Sequence, residues 1–328
     1  MRGDDEVWGQ RGVSPVIPAH AGIQKAANTK TAAARCYPRP LAAQGVPPLD
    51  TPVFLAVMAA AVLHAGWNAL LKIGLDRFLT ITLIEIGAGL LALLALPFVA
   101  FPEAHAWPWI LLSALLHIGY NTFLARAYQH GDLGQAYPIA RGSSPLMVAG
   151  LSILLLHDRL SAGQFAGLLV LVGGIWLMAV RGGRHRRLPG ALLGNALLTS
   201  AFIAGYTLAD AAGARANGDA LSYSVWLFAV NGLVMVLVIG LLRGPGVWRS
   251  LGGHWRGGLA GGLMSMAAYS IVIWAMTQAP VALVSALRES SVVFALLIGW
   301  RLLKEPLPAM RVLACLVIAV GVAAVKLA

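Results

Sequence analysis

From Thr51 onward, apolar residues run in long stretches separated by short charged or turn-forming clusters: Asp76-Arg77, Pro102-Glu103, Gly131-Asp132, His157-Asp158-Arg159 and Lys304-Glu305-Pro306. A helix that crosses a bilayer needs about 20 mostly apolar residues. The pattern predicts ten such spans, near 53–73, 78–101, 106–128, 134–156, 162–180, 189–213, 220–242, 256–277, 281–303 and 307–327. Backbone groups in lipid must bond within their own segment, so the spans are helices. A membrane barrel would alternate apolar and polar residues over segments of about ten, and that alternation is absent. The expected fold class is an all-α polytopic membrane protein with ten transmembrane helices.

Residues 1–50 have another texture. They are polar, unpatterned and proline-rich, which is linker composition. No apolar run follows a basic start, so they do not form a secretory signal. The run from Ser14 to Gln24 resembles the peptide obtained when a widespread bacterial intergenic repeat is translated. Two readings of 1–50 stay open: a disordered tail, or a start placed too early.

The spans repeat. Arg141-Gly142-Ser143-Ser144 matches Arg288-Glu289-Ser290-Ser291, and His157-Asp158-Arg159-Leu160 matches Lys304-Glu305-Pro306-Leu307, both at a spacing of 147 residues. Ala65-Gly66-Trp67 matches Ala204-Gly205-Tyr206 more weakly. Two five-helix repeats are expected over 51–187 and 188–328. An odd number of spans per repeat inserts the second copy upside down. Such two inverted five-helix repeats mark many secondary transporters, with sites near the midplane between the halves.

Charge sharpens the picture. The 328 residues are 59% hydrophobic and 11% charged, with a net charge of +11; a soluble domain carries about 25% charged residues. Most charges of residues 51–328 sit at predicted helix ends. Those read inside spans are Glu85, Arg141, Arg288 and Glu289. Cys36 and Cys315 are too few for a disulfide framework or a multi-cysteine zinc site. No His-Glu-x-x-His, Gly-x-Gly-Asp or Gly-x-x-x-x-Gly-Lys motif is present, so no cofactor, metal or nucleotide chemistry is expected.

Residues 53–328 resemble the EamA-like branch of the drug/metabolite transporter superfamily. The resemblance is carried by His64-Ala65-Gly66-Trp67-Asn68-Ala69, by Tyr137-Pro138-Ile139-Ala140-Arg141-Gly142, by the duplicated turn at His157 and Lys304, and by Gly167, Gly173, Gly174 and Gly321. It implies ten helices around a central cavity and transport of a small metabolite or drug-like solute. Asp158 stands where the family usually has glutamate, a minor change for a turn and helix-end charge.

Ionisable groups inside spans are costly and usually face a cavity or a partner. Glu85 is a candidate to titrate or to bind a substrate amine. His117, Tyr120 and Asn121 share one helix face and are candidates to line a wet cavity, with the histidine able to exchange protons. Arg141 and Arg288 are candidates to face one anionic substrate group, with snorkelling, or pairing with a nearby acid such as Glu289, as the alternatives. Ser144 and Ser291 follow them, and Pro145 frees a carbonyl near Arg141. Trp67, Asn68, Tyr206, Tyr269 and Trp274 complete the candidate set, with Asp210 and Asn231 as further cavity candidates. Asp210 also reads as an interface residue near its span's end. Gly163-x-x-x-Gly167, Gly190-x-x-x-Gly194 and Gly258-x-x-x-Gly262 read as close helix contacts.

The expected function is alternating-access transport, with proton coupling suggested by Glu85 or His117, in the bacterial inner (plasma) membrane. The expected partners are the lipid bilayer and a small-molecule substrate, not nucleic acid, with the chain a monomer or homodimer. A membrane-embedded enzyme and a non-transporting membrane protein are the alternatives. Loops after odd-numbered spans carry most of the Lys and Arg residues, which puts that side in the cytoplasm. The family resemblance implies the opposite orientation, and a C-terminal reporter fusion decides between the two.

Overall fold

The computed structural model describes residues 49–70, 77–130, 133–182, 189–304 and 307–328. The tail, the turn residues Asp76, Asp132, Glu305 and Pro306, the loop arginines 184, 186 and 187, and the boundary between the repeats lie outside the described residues.

The apolar runs form helices because only intrasegment bonds satisfy their backbones in lipid. They are α1 (Thr51–Leu70), α2 (Arg77–Ala95), α3 (Trp107–Gln129), α4 (Leu133–Leu155), α5 (Ala162–Gly182), α6 (Gly190–Asn217), α7 (Ala220–Arg243), α8 (Val247–Gly252), α9 (Trp255–Gln278), α10 (Val281–Arg288), α11 (Ser291–Leu303) and α12 (Ala309–Leu327). Among the described residues nine spans are long and apolar enough to cross a membrane, α10 and α11 together forming one of them, and Ala162–Met178 is a shorter apolar helix. Leucines and phenylalanines such as Leu94, Phe98, Leu241 and Leu316 stand exposed on the outside. That much apolar surface suits lipid rather than water.

Three boundaries differ from the sequence expectation. The second span stops early, in a 3-10 turn over Leu96–Phe98 that contains Pro97. The sixth runs four residues further, to Asn217, where Gly218 takes the left-handed φ of 75° and Asp219 caps α7 by accepting from Leu221 N (2.9 Å) and Ser222 N (3.2 Å). The ninth is broken: Glu289 N and Ser290 N donate to carbonyls three residues back, Ala286 O and Leu287 O, which separates α10 from α11.

The repeat is visible in the packing. His157 and Lys304, 147 residues apart, both adopt positive φ, 56° and 53°. Helices α5 and α12 meet reciprocally. A Cβ on Gly174 would stand 2.7 Å from Ile318 Cγ1, and one on Gly321 would stand 2.7 Å from Leu171 Cα. Leu171 and Ile318 are themselves 147 residues apart, so each helix presents the same glycine to the same position of the other. Of the three expected small-residue motifs, Gly167 meets Val325 and Gly258 meets Leu83, whereas Gly190 and Gly194 have open space around them.

This geometry predicts a contrast. Gly321→Leu should lower the thermal midpoint in detergent, by about 1–3 kcal/mol of overpacking. Gly173→Ala should be neutral or stabilising, by up to about 1 kcal/mol of helix propensity, because nothing lies within 4 Å of its added Cβ.

Candidate functional site

A cavity of about 100 Å³ lies between the two halves. The first half contributes His64 and Trp67 from α1, Glu85 from α2, His117 and Tyr120 from α3, and Arg141 from α4. The second contributes Tyr206 from α6, Phe228 and Asn231 from α7, Ser265 and Tyr269 from α9, and Arg288 from α10.

One end is a buried charge cluster. Arg141 Nε donates to Glu289 Oε2 at 2.9 Å, and Arg288 Nη2 and Nε reach Glu289 Oε1 at 3.4 Å. The two repeat-related arginines therefore share one carboxylate, so the Glu289 partner anticipated from sequence is present. Glu289 sits at the position that Gly142 occupies in the first half, and the helix break after Arg288 places it there. Two guanidinium groups against one carboxylate leave a net positive end. Arg288 also lies over the Tyr269 ring, 6.0 Å from its centre, within cation–π range.

The α4 backbone is repaired locally. Pro145 has no N–H for the Arg141 carbonyl, and Ser144 Oγ donates to that oxygen instead, at 3.0 Å. Both prolines of α4 are thus held within a continuous helix. Arg141 Nη2 stands 3.1 Å from His64 Nε2, while Trp67 Nε1 donates to His64 Nδ1 at 3.3 Å. Asn68 Nδ2 donates to His64 O at 2.7 Å and fixes the start of this stripe.

Glu85 is a separate acid of the lining. Asn121 Nδ2 lies 3.3 and 3.4 Å from its two oxygens. His117 Nδ1 donates to Ser113 O at 2.8 Å, and its ring stacks on Tyr206 with centroids 4.1 Å apart. With Nδ1 protonated, Nε2 of the neutral ring is an acceptor. Asn231 Oδ1, on a residue of the cavity wall, is buried without a hydrogen-bond partner.

Nine of the expected residues line the cavity: Trp67, Glu85, His117, Tyr120, Arg141, Tyr206, Asn231, Tyr269 and Arg288. Asn121 and Glu289 stand behind the wall as partners of lining groups. Ser291, buried at 3% exposure, and Trp274, 40% exposed, are not lining residues. Sequence reasoning gave no individual role to His64, Phe228 or Ser265. His64 was visible only as the start of the His64–Ala69 run. Asp210, read near an interface, is instead fully buried on α6.

The sequence pattern of the EamA-like transporter family matches residues 51–180 and again 189–327. No curated protein matches the chain. A solved crystal structure of a protein superimposes with a TM-score of 0.68 over 84% of this chain and 97% of that one, at 20% identity. At that identity the likeness shows the fold alone.

Proposed function

The chain belongs to the EamA-like transporter family, a family of drug and metabolite transporters, and on that premise we propose that it is a secondary transporter working by alternating access. It carries a small solute across the bacterial inner membrane, as a monomer or homodimer, with residues 51–187 and 188–328 as the two moving halves. Family membership points to a transporter rather than an enzyme. The observation that supports this reading is the cavity itself: its walls come from both halves, and the repeat-related Arg141 and Arg288 converge there on one acid.

The lining carries groups of both signs. The arginine cluster is net positive, and Glu85 offers a carboxylate that accepts from the Asn121 amide. A solute with a carboxylate at one end and an amine at the other matches both. In a thermal-shift screen of the purified protein, solutes bearing both groups should raise the midpoint more than analogues bearing one, by mass action on the folded state. Equal shifts from singly charged analogues would remove this substrate class. Gradient-dependent, saturable uptake of the best hit into proteoliposomes tests transport itself.

Glu85 is the proposed proton-responsive residue of the cavity wall. Glu85→Gln should flatten the pH dependence of that uptake while leaving solute exchange measurable. An unchanged profile removes Glu85 from coupling.

A further inference from the structure

Behind the cavity wall lies a second acidic centre. Asp210 is fully buried. Its Oδ2 accepts from Tyr269 Oη at 2.6 Å and its Oδ1 from Tyr223 Oη at 3.2 Å. The Ser113 side chain on α3 stands near it. The two donors come from α9 and α7, so with α3 and α6 four helices meet at one carboxyl group. The Thr207 hydroxyl is buried without a partner, one turn back on the Asp210 face of α6.

No lysine or arginine pairs with Asp210 among the described residues; Arg288 acts on it from a distance. An anion buried without a counter-charge is costly even when hydrogen-bonded, and in a membrane such a group marks ion or proton handling. A carboxyl group ringed by hydroxyl oxygens suits a proton or a hard monovalent cation. The charged and titratable groups around it are His117 from α3, beside Ser113 and stacked on Tyr206, Tyr223 from α7, Tyr269 from α9, Arg288 from α10 and Tyr206 on its own helix.

We propose that Asp210 is the binding site of a coupling cation, a proton or a sodium ion, joined to the cavity by the Tyr269 hydroxyl. This rests on the transporter reading for its role, but not for its test. Tyr269 lines the cavity and bonds Asp210, so a solute that moves Tyr269 changes what Asp210 accepts. A cation on Asp210 changes the hold on Tyr269 in return, as reciprocal linkage requires. The position of equal register in the first half is Leu71, so the carboxyl group has no counterpart in the other repeat.

Infrared difference spectroscopy of the purified full-length protein in lipid tests it directly. One arm acidifies the sample; the other exchanges choline chloride for sodium chloride at fixed pH. In the wild type, a carboxyl band should appear on acidification if the cation is a proton, or a carboxylate band should shift with sodium if it is sodium. Either response should be lost in Asp210→Asn. Tyr269→Phe and Tyr223→Phe keep the packing and should each shift the band frequency, which keeps the test decisive if Asp210→Asn does not fold. Spectra of wild type and Asp210→Asn that agree in both arms, or bands unmoved by both tyrosine variants, overturn the proposal. Absent solute uptake with the band intact would instead strike the transport reading.

Discussion

Glu289→Ala should destabilise the protein more than any other single substitution in the cavity region. The Glu289 carboxylate is fully buried, and its partners Arg141 and Arg288 are 6% and 3% exposed at their side chains. Deleting it leaves two guanidinium groups uncompensated; removing one member of a buried ion pair costs about 3–5 kcal/mol. Glu289→Gln keeps an acceptor oxygen but not the charge, so its loss should be smaller. Arg288→Met should cost least, because Arg141 and Glu289 then remain as a matched pair at 2.9 Å. The expected order of thermal midpoints is wild type, Arg288→Met, Glu289→Gln, Glu289→Ala. Intrinsic tryptophan fluorescence in detergent measures it. If Glu289→Ala matches Arg288→Met, the two arginines are not held by that carboxylate.

The positions of the helices and the duplication were legible because they are carried along one chain at a time. Twenty-residue apolar runs and a 147-residue offset need no knowledge of what packs where, and the reciprocal contacts of Gly174 and Gly321 keep that same offset. Cross-helix partners were only partly legible. Arg141 and Glu289 were named together because both are charges inside spans, but the sequence left open whether the arginines face substrate or pair with the acid. The break after Arg288 decided it: it turns Glu289 inward at a position where the first half has glycine.

Asp210 and His64 were harder, for physical reasons. The apolar pattern fades near residue 213, which puts Asp210 near the end of its expected span. The helix nevertheless runs on to Gly218, which carries Asp210 inward from the end. Its partners Tyr223 and Tyr269 are 13 and 59 residues away, beyond any local pattern. The His64 ring meets Arg141 across 77 residues, so no spacing along α1 reveals its part. Trp274 shows the converse: an aromatic within a span that faces outward, as many membrane aromatics do.

At one rim of the bundle, Arg215→Gln should cost little stability in acid and more at neutral pH. Asp158, in the turn after α4, accepts from Val281 N at 2.7 Å and so caps the start of α10. Arg215, near the end of α6, stands 3.6 Å from the same carboxylate and donates to Met276 O and Ala279 O at the end of α9. Each charge thus meets the helix end of opposite sign, and the first half is tied to the second. Burial pushes the Asp158 carboxyl above its ordinary value, while Arg215 and the Val281 N–H pull it back down. An acid whose folded-state pKa is raised favours folding below its unfolded value of about 3.9 and loses that contribution as pH rises through the folded value. Arg215 limits this loss by favouring the ionised form. Without it, the gap from wild type should widen between about pH 4 and neutrality, reaching about 1–3 kcal/mol for a buried acceptor stripped of its charged partner. Asp158→Asn keeps an oxygen for Val281 N–H and has no charge to bury, so adding it to Arg215→Gln should restore part of the neutral-pH midpoint. Thermal midpoints of the two single variants and the double variant across that range measure both effects. A gap that does not change with pH would mean that Arg215 acts through the Met276 and Ala279 carbonyls alone. The same tie must open whenever this rim of the transporter opens, so Arg215→Gln should also raise the accessibility of the buried α10 start to a thiol reagent, read with a cysteine at Ala282 in a background lacking Cys36 and Cys315.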